Sequence, residues 1–92
     1  MGEVVRFPRE SEPLWREQLG DQLRQERQAR EERLVDVAER AGVSTQYLSE
    51  VERGLKDPSS EMLQAIAGAL DLTVRQLVTR VSGSGDVLAL AV

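Results

Sequence analysis

Apolar residues recur along most of the chain at the spacing of an amphipathic helix. Trp15, Leu19 and Leu23 stand four residues apart among charged and amide side chains, which predicts a first helix with one buried stripe. Ser11 is a residue type that caps helices, and the glutamate and proline that follow it suit a first turn, so we expect the helix to begin there. Gly20 lies inside this helix, where it permits another segment to pack closely.

Four shorter helices follow, separated by turn residues. The pattern predicts a second helix over 34–41 and a third over 45–53, ended by Gly42 and Gly54 respectively. Serine or threonine stands at the expected N-cap of the last three helices, at Ser44, Ser59 and Thr73. The apolar positions of the fourth helix are Met62, Leu63, Ile66, Ala67 and Leu70. No convincing strand pattern stands out before the C-terminal tail, so the sequence predicts an all-α fold.

The sequence divides into three parts. We expect a flexible N-terminal arm over residues 1–10 and, over 11–81, a compact five-helix bundle that contains a helix-turn-helix. Residues 82–92 combine a Ser-Gly-Ser-Gly linker with an apolar tail whose composition is compatible with a β-strand. A chain of 92 residues has room for one core of this kind.

The amino-acid composition limits the reactions and metal sites that the chain can support. The chain has no cysteine and no histidine, so it lacks the usual nucleophile–base pairs and zinc ligands, and we expect no metal, no cofactor and no enzymatic activity. No signal peptide or membrane span is recognisable, which favours a cytoplasmic protein. The net charge of −4 is unusual for a nucleic-acid-binding protein, but Arg53 and Lys56 form a local basic rim. The negative net charge therefore predicts weak nonspecific binding to DNA, but it does not exclude sequence-specific DNA binding.

Residues 38–51 contain the pattern A-x3-G-x5-L-x2-V, formed by Ala38, Gly42, Leu48 and Val51. The small Ala38 lets the next helix cross closely, and Gly42 permits the positive φ of a sharp turn. Leu48 and Val51 press the following helix onto the core. Together they indicate a helix-turn-helix whose second helix enters a major groove, with an ordinary helical hairpin as the alternative.

Between Leu19 and about Val78 the chain resembles the phage-repressor-like (Cro/C1, xenobiotic-response-element) helix-turn-helix family. The matching segments are LGDQLRQER, VAERAGVS, YLSEVERG and DPSSEMLQAIAGALDL. More narrowly, YLSEVERGLKDPSSEML is similar to the actinobacterial regulators of the Clp protease genes. The resemblance implies a protein that binds specific DNA sequences through its third helix.

The resemblance also implies roles for individual residues. Base contacts would come from Thr45, Gln46, Tyr47, Ser49 and Glu50. Glutamine suits an adenine edge, the threonine methyl group suits thymine, and glutamate can accept a hydrogen bond from cytosine. Phosphate contacts would come from Ser44, Arg53, Gly54, Leu55, Lys56 and Ser59, with Gly54 and Leu55 using their backbone amides. A structural salt bridge between Arg27 and Glu52 would join the first helix to the third.

One segment departs from the family pattern. The residues AREERL before the second helix contain no glycine, and Arg33 stands at the N-cap position where the family usually has serine or threonine. We therefore expect weaker local support for the first turn of the second helix, and a longer continuous first helix is an alternative.

The expected partners are DNA, a second copy of the chain and proteins of transcription or proteolysis. Helix-turn-helix domains bind two half-sites ~34 Å apart, which implies a homodimer. Dimer contacts are expected near the fifth helix, at Leu72, Val74, Leu77, Val78 and Val81. The tail residues Leu88, Ala89, Leu90, Ala91 and Val92 resemble a degradation signal for Clp protease, with dimer packing or a passive tail as alternatives. Asp36 and Glu39 are candidate contacts for RNA polymerase.

The sequence thus predicts a dimeric transcriptional regulator that binds double-stranded DNA at an inverted repeat, without membrane association. The resemblance to the Clp-gene regulators favours an activator of protease genes. The alternative is an antitoxin or another protein-interaction module that uses the apolar tail to bind its partner.

Overall fold

A computed structural model describes the backbone of residues 2–81 and the side chains of residues 15–81. Its helices are α1 Gly2–Ala29, α2 Leu34–Ala41, α3 Thr45–Glu52, α4 Ser60–Ala69 and α5 over residues 74–81. The described part of the chain contains no strand, so the all-α prediction is confirmed, and α2 to α5 begin where the pattern predicted. The apolar tail lies within 82–92, outside the described residues.

Helix α1 begins earlier than predicted. The backbone is helical from Gly2, so the expected arm over residues 1–10 is helical from its second residue, and Ser11 lies inside α1 rather than at its N-cap. The capping signal of a serine is local, and a serine in a helix interior costs only about 0.5 kcal/mol relative to alanine. Ser11 is therefore tolerated inside α1 and does not determine where the helix begins.

Four helices end in the same hydrogen-bonded turn. In each turn one residue adopts a left-handed conformation, namely Glu31 (φ 56°), Gly42 (φ 76°), Gly54 (φ 77°) and Asp71 (φ 60°). The amide of that residue and the next amide both donate back into the last helical turn, as Leu72 N does to the Ala67 carbonyl at 2.9 Å. Because Glu31 ends α1 in this way, the alternative of a longer continuous first helix is wrong.

The core receives side chains from all five helices. Its fully buried members are Leu19 and Leu23 of α1, Val37 and Ala38 of α2, Leu48 and Val51 of α3, Ile66 and Ala67 of α4, and Leu77 of α5. Met62, predicted on the apolar face of α4, is instead exposed because it lies in the first turn, where the apolar stripe extends beyond the core. Trp15 is half-buried.

The burial of Leu77 corrects the predicted dimer surface. Its side chain has no exposed area and belongs to the core, so it cannot also contact a second chain. Leu72, Val74 and Val81 are half-buried and pack against the same core, and Val78 is half-buried. Only the outward parts of these four side chains remain for a partner.

The predicted N-caps of α3, α4 and α5 are confirmed. Ser44 Oγ accepts a hydrogen bond from the Tyr47 amide at 2.9 Å, and Ser59 Oγ accepts one of 3.2 Å in the first turn of α4. Thr73 and Gln76 exchange two hydrogen bonds of 3.0 Å at the start of α5, each between a side chain and a backbone amide. These caps fix where α3, α4 and α5 begin.

The first turn of α2 is better supported than predicted. Arg33 has no side-chain acceptor, but Asp36 accepts a hydrogen bond from the Arg33 amide at 3.1 Å. The Arg33 guanidinium also donates to both Asp36 oxygens, at 3.2 and 3.3 Å. These bonds lower the pKa of Asp36 and raise the pKa of Arg33. Asp36 therefore stabilises its own helix, and of the two carboxylates predicted to contact polymerase only Glu39 is exposed.

Candidate nucleic-acid interface

Helix α3 has a polar outer face and a buried inner face. Successive residues of an α-helix are rotated by about 100°. The rotation places four polar side chains on the outer face, of which Gln46 and Arg53 are exposed and Ser49 and Glu50 are half-buried. Leu48, Val51 and Glu52 are buried on the inner face. The structure thus brings the predicted base contacts Gln46, Ser49 and Glu50 together on one side, with Thr45 exposed at the first residue of the helix.

Tyr47 is the exception among the predicted base contacts. It stands at the edge of the outer face, about 40° around the helix from the buried Val51, and packs partly buried against the core. A contact between Tyr47 and a base therefore stays a prediction.

A close crossing of α1 holds α3 from behind. A β-carbon on Gly20 would overlap the carbonyl oxygens of Val51 and Glu52 and would lie 2.8 Å from the Glu52 carbonyl carbon. Gly54, which follows α3, in turn approaches the backbone of α1, since a β-carbon there would lie 3.1 Å from the Cα atom of Glu17. The two glycines allow backbone to meet backbone at the last turn of α3, and this contact fixes the distance between α1 and α3.

Arg27 and Glu52 form the expected ion pair behind α3. Arg27 Nε donates to Glu52 Oε2 at 2.8 Å, and Nη2 donates to Oε1 at 2.9 Å. The side chains are only 15% and 6% exposed, and the hydrogen bond to Glu52 raises the pKa of Arg27. Arg27 Nη1 also donates to the Glu32 carbonyl at 3.1 Å. Removing one partner of such a pair costs about 3–5 kcal/mol, so Glu52 has a structural role.

Four residues suited to phosphate are exposed at the ends of α3, in the loop after it and at the N-cap of α4. Arg53 and Lys56 are the cations of this set, and both follow the last residue of α3. Ser44 and Ser59 are exposed, and their hydroxyl oxygens accept the capping bonds, which leaves each hydroxyl hydrogen available for donation. These four residues can each bind a phosphate oxygen without disturbing the fold.

The amides of Gly54 and Leu55 are not available for phosphate, contrary to the prediction. They donate to the carbonyls of Val51 and Glu50 at 3.0 and 2.9 Å, in the turn that ends α3. A helix end needs these bonds because its last carbonyls have no partner within the helix. The Leu55 side chain is 63% exposed beside Lys56, so this turn can contact DNA through side chains rather than amides.

Two arginines that the sequence did not single out join the α1–α2 turn to the α4–α5 turn. Arg40 donates to the Ala69 carbonyl at 3.1 and 2.8 Å and to Glu32 at 2.6 Å. Arg30 bonds Glu32 at 3.3 Å and Asp71 at 2.9 Å. The hydrogen bond from Arg40, with a second from Arg30, lowers the pKa of Glu32. Arg30 and Asp71 are 41 positions apart, so no local pattern could have revealed the pair.

This arrangement is that of a DNA-binding helix-turn-helix. A left-handed glycine, Gly42, joins α2 to α3, and α3 is held by its inner face while its polar side chains project outward. The helix-turn-helix family model matches residues 23–77. The chain belongs to that family, in its Cro/C1 type.

Two of the similar proteins are regulators named ClgR. The transcriptional regulator ClgR of Mycobacterium tuberculosis (strain CDC 1551 / Oshkosh) is 52% identical over 59 residues, which make up 64% of this chain and 53% of that protein. The crystal structure of the clp gene regulator ClgR from Corynebacterium glutamicum matches with a TM-score of 0.74 and 41% identity, over 87% of this chain and 84% of that one. The resemblance to Clp-gene regulators is therefore confirmed.

A third similar protein has a different role. The restriction-modification controller protein C.AhdI from Aeromonas hydrophila matches with a TM-score of 0.65 and 31% identity, over 66% of this chain and 92% of that one. The chain spans about half the length of the Mycobacterium tuberculosis regulator, and the matched family domain is the helix-turn-helix. In the part of the chain that the structure describes, no helix is long and apolar enough to cross a membrane.

Proposed function

We propose that this protein is a transcriptional regulator that binds an inverted repeat as a homodimer and activates Clp protease genes. The outer face of α3 supports DNA binding best, because four polar side chains project there from a helix whose other side is held by α1 and the core. The similarity to two ClgR proteins supports Clp genes as targets.

Gln46 and Glu50 supply base selectivity in this proposal. The Gln46 amide, exposed in the first turn of α3, can bond both N6 and N7 of adenine, and Glu50, one turn later, can accept from cytosine N4. Arg53 and Lys56 bind the phosphates at the edge of the groove. Because the net charge is −4, nonspecific attraction to DNA is weak, and base contacts provide a larger share of the binding free energy.

Two chains pair through the outward parts of α5 and the turn before it. The half-buried residues available there are Leu72, Val74, Val78 and Val81. Pairing through this surface would place two copies of α3 about one helical turn of DNA, ~34 Å, apart. The dimer then contacts two successive major grooves on one side of the duplex.

A matched pair of glutamine variants tests the base contact. Gln46→Ala is expected to bind the preferred inverted repeat about five- to 150-fold more weakly, the equivalent of about 1–3 kcal/mol, and to lose discrimination at one base per half-site. Gln64→Ala removes the same amide from the exposed surface of α4 and should bind like the wild type. Equal losses in the two variants, or unchanged discrimination by Gln46→Ala, would contradict the proposal.

Sedimentation should show two chains per duplex, and a single chain would contradict the dimer.

Activation is assigned to Glu39, which is exposed on α2. Its carboxylate can attract a basic surface of RNA polymerase bound beside the operator. Glu39→Lys should abolish stimulation of transcription in vitro while leaving operator affinity unchanged. Glu61→Lys, which reverses an exposed charge on α4, is the control and should still activate. Full activation by Glu39→Lys would exclude this contact.

A further inference from the structure

Two ion pairs of opposite polarity join the C-terminal end of α1 and the residue after it to α5 and the turn before it. Glu26, in the last turn of α1, bonds Arg80 of α5, and Arg30, which follows α1, bonds Asp71 in the turn between α4 and α5. Asp71 lies three residues before α5 begins and Arg80 lies in its last described turn, so the two pairs stand at opposite ends of this part of α5. On the α1 side one pair has an acidic residue, Glu26, and the other a basic residue, Arg30. If α5 ran in the opposite direction, like charges would therefore meet.

Of the two pairs, Glu26–Arg80 is the better enclosed. Arg80 Nη1 lies 2.8 Å from both oxygens of Glu26, and Gln22 Nε2 donates to Oε2 at 2.8 Å. The Glu26 side chain is 16% exposed, against 77% for Asp71. Burial alone would raise the pKa of Glu26, but the hydrogen bonds from Arg80 and Gln22 more than offset it, so the pKa is lowered. The carboxylate is therefore held ionised in a fixed position.

The pair adds a directional contact to the apolar contacts that hold α5. Leu77 is fully buried, and Val74 and Val81 pack partly buried against the same core. Apolar packing is not directional, whereas the Glu26–Arg80 bond fixes the last described turn of α5 at one point on α1. The same α1 contacts α3 at Gly20 and bonds Glu52 through Arg27. Helix α1 thus connects the proposed dimer surface on α5 with the helix that contacts bases.

We propose that Glu26 and Arg80 are positioning residues that set the direction of α5, so that two paired chains place both α3 helices on adjacent major grooves. Neither residue touches DNA or the partner chain in this account. The inference rests on the proposed dimeric function. It predicts that loss of the pair weakens binding to paired half-sites more than binding to a single half-site.

Charge reversal and restoration test the pair in the full chain. Arg80→Glu should bind a duplex with two half-sites about fivefold more weakly, while affinity for a duplex with one half-site stays unchanged. The double variant Glu26→Arg/Arg80→Glu rebuilds the pair with opposite polarity and should recover most of the loss. Arg75→Glu makes the same charge change at an exposed position of α5 and serves as the control, with binding to two half-sites expected near the wild-type value.

Each result has a defined meaning. Recovery in the double variant, with a normal control, supports the inference. An equal loss of affinity in Arg80→Glu and Arg75→Glu would overturn it, because the change in net charge would then be the cause. Failure of the double variant to recover affinity would also overturn it. An equal loss on one and two half-sites would also overturn it, because the effect would then lie in the fold or in α3. If the wild-type chain itself shows no preference for two half-sites, the proposed dimeric function fails first.

Discussion

Replacing Gly20 by alanine should destabilise the protein, although alanine is the better helix former. The new β-carbon would lie 2.8 Å from the Glu52 carbonyl carbon, whereas ordinary contact begins near 3.4 Å, so α1 and α3 must separate by at least about 0.6 Å. The obstacle is backbone, which cannot turn aside as a flexible side chain could. Overpacking of this kind costs about 1–3 kcal/mol or more, against a gain of about 1 kcal/mol from helix propensity.

Gly68 provides the matched control, because it also lies inside a helix but a β-carbon there would meet no atom within 4 Å. Gly68→Ala should therefore raise the free energy of unfolding by about 0.5–1 kcal/mol, whereas Gly20→Ala should lower it by up to about 2 kcal/mol. Urea unfolding followed by circular dichroism measures both, and each kcal/mol corresponds to about 4–8 °C in Tm. If Gly20→Ala stabilised the protein as much as Gly68→Ala, the close crossing of α1 and α3 would be refuted.

Three further predictions concern the turns, the DNA contacts and acid stability. Glu31 has a left-handed φ of 56°, so Glu31→Gly should raise the free energy of unfolding by about 0.5–1 kcal/mol in a denaturant titration, and a decrease would refute the strain. Lys56→Ala should reduce the slope of log affinity against log salt by about 1, whereas Leu55→Ala should leave it unchanged; equal slopes in both variants would exclude a phosphate contact by Lys56. The pKa of Glu32 is lowered below its ordinary value of 4.5, so its contribution to stability should be complete above pH 4.5 and disappear as the pH falls below it. In acid titrations Glu32→Gln should lose less stability over that range than the wild type, and an identical loss would contradict the assignment.

Local signals in the sequence were sufficient for most helix boundaries. Ser44 and Ser59 cap α3 and α4 as their residue types predict, and Gly42 and Gly54 end α2 and α3 in left-handed turns. The same turn follows α1 and α4, but there Glu31 and Asp71 occupy the left-handed position. Glu31 gives no such signal and Asp71 only a weak one, because non-glycine residues other than asparagine and aspartate rarely adopt this conformation unless the surrounding contacts impose it.

The faces of the helices were harder to predict where one residue type suits two environments. Leu77 was predicted to lie at a dimer surface, but its side chain is buried in the core, because an apolar residue on a short helix suits either environment. The amides of Gly54 and Leu55 were predicted to bind phosphate, yet the end of α3 requires both. Such assignments depend on distances between segments far apart in the chain, which a linear pattern does not contain.

The most direct test of the account is selection of DNA by the purified full chain from a pool of random duplexes at physiological salt. The account predicts enrichment of one inverted repeat whose half-site centres lie about one helical turn, ~34 Å, apart. Enrichment of a single unpaired site would contradict the dimer. No enriched sequence, even at low salt where phosphate contacts are strongest, would contradict the central claim that α3 of this protein contacts bases.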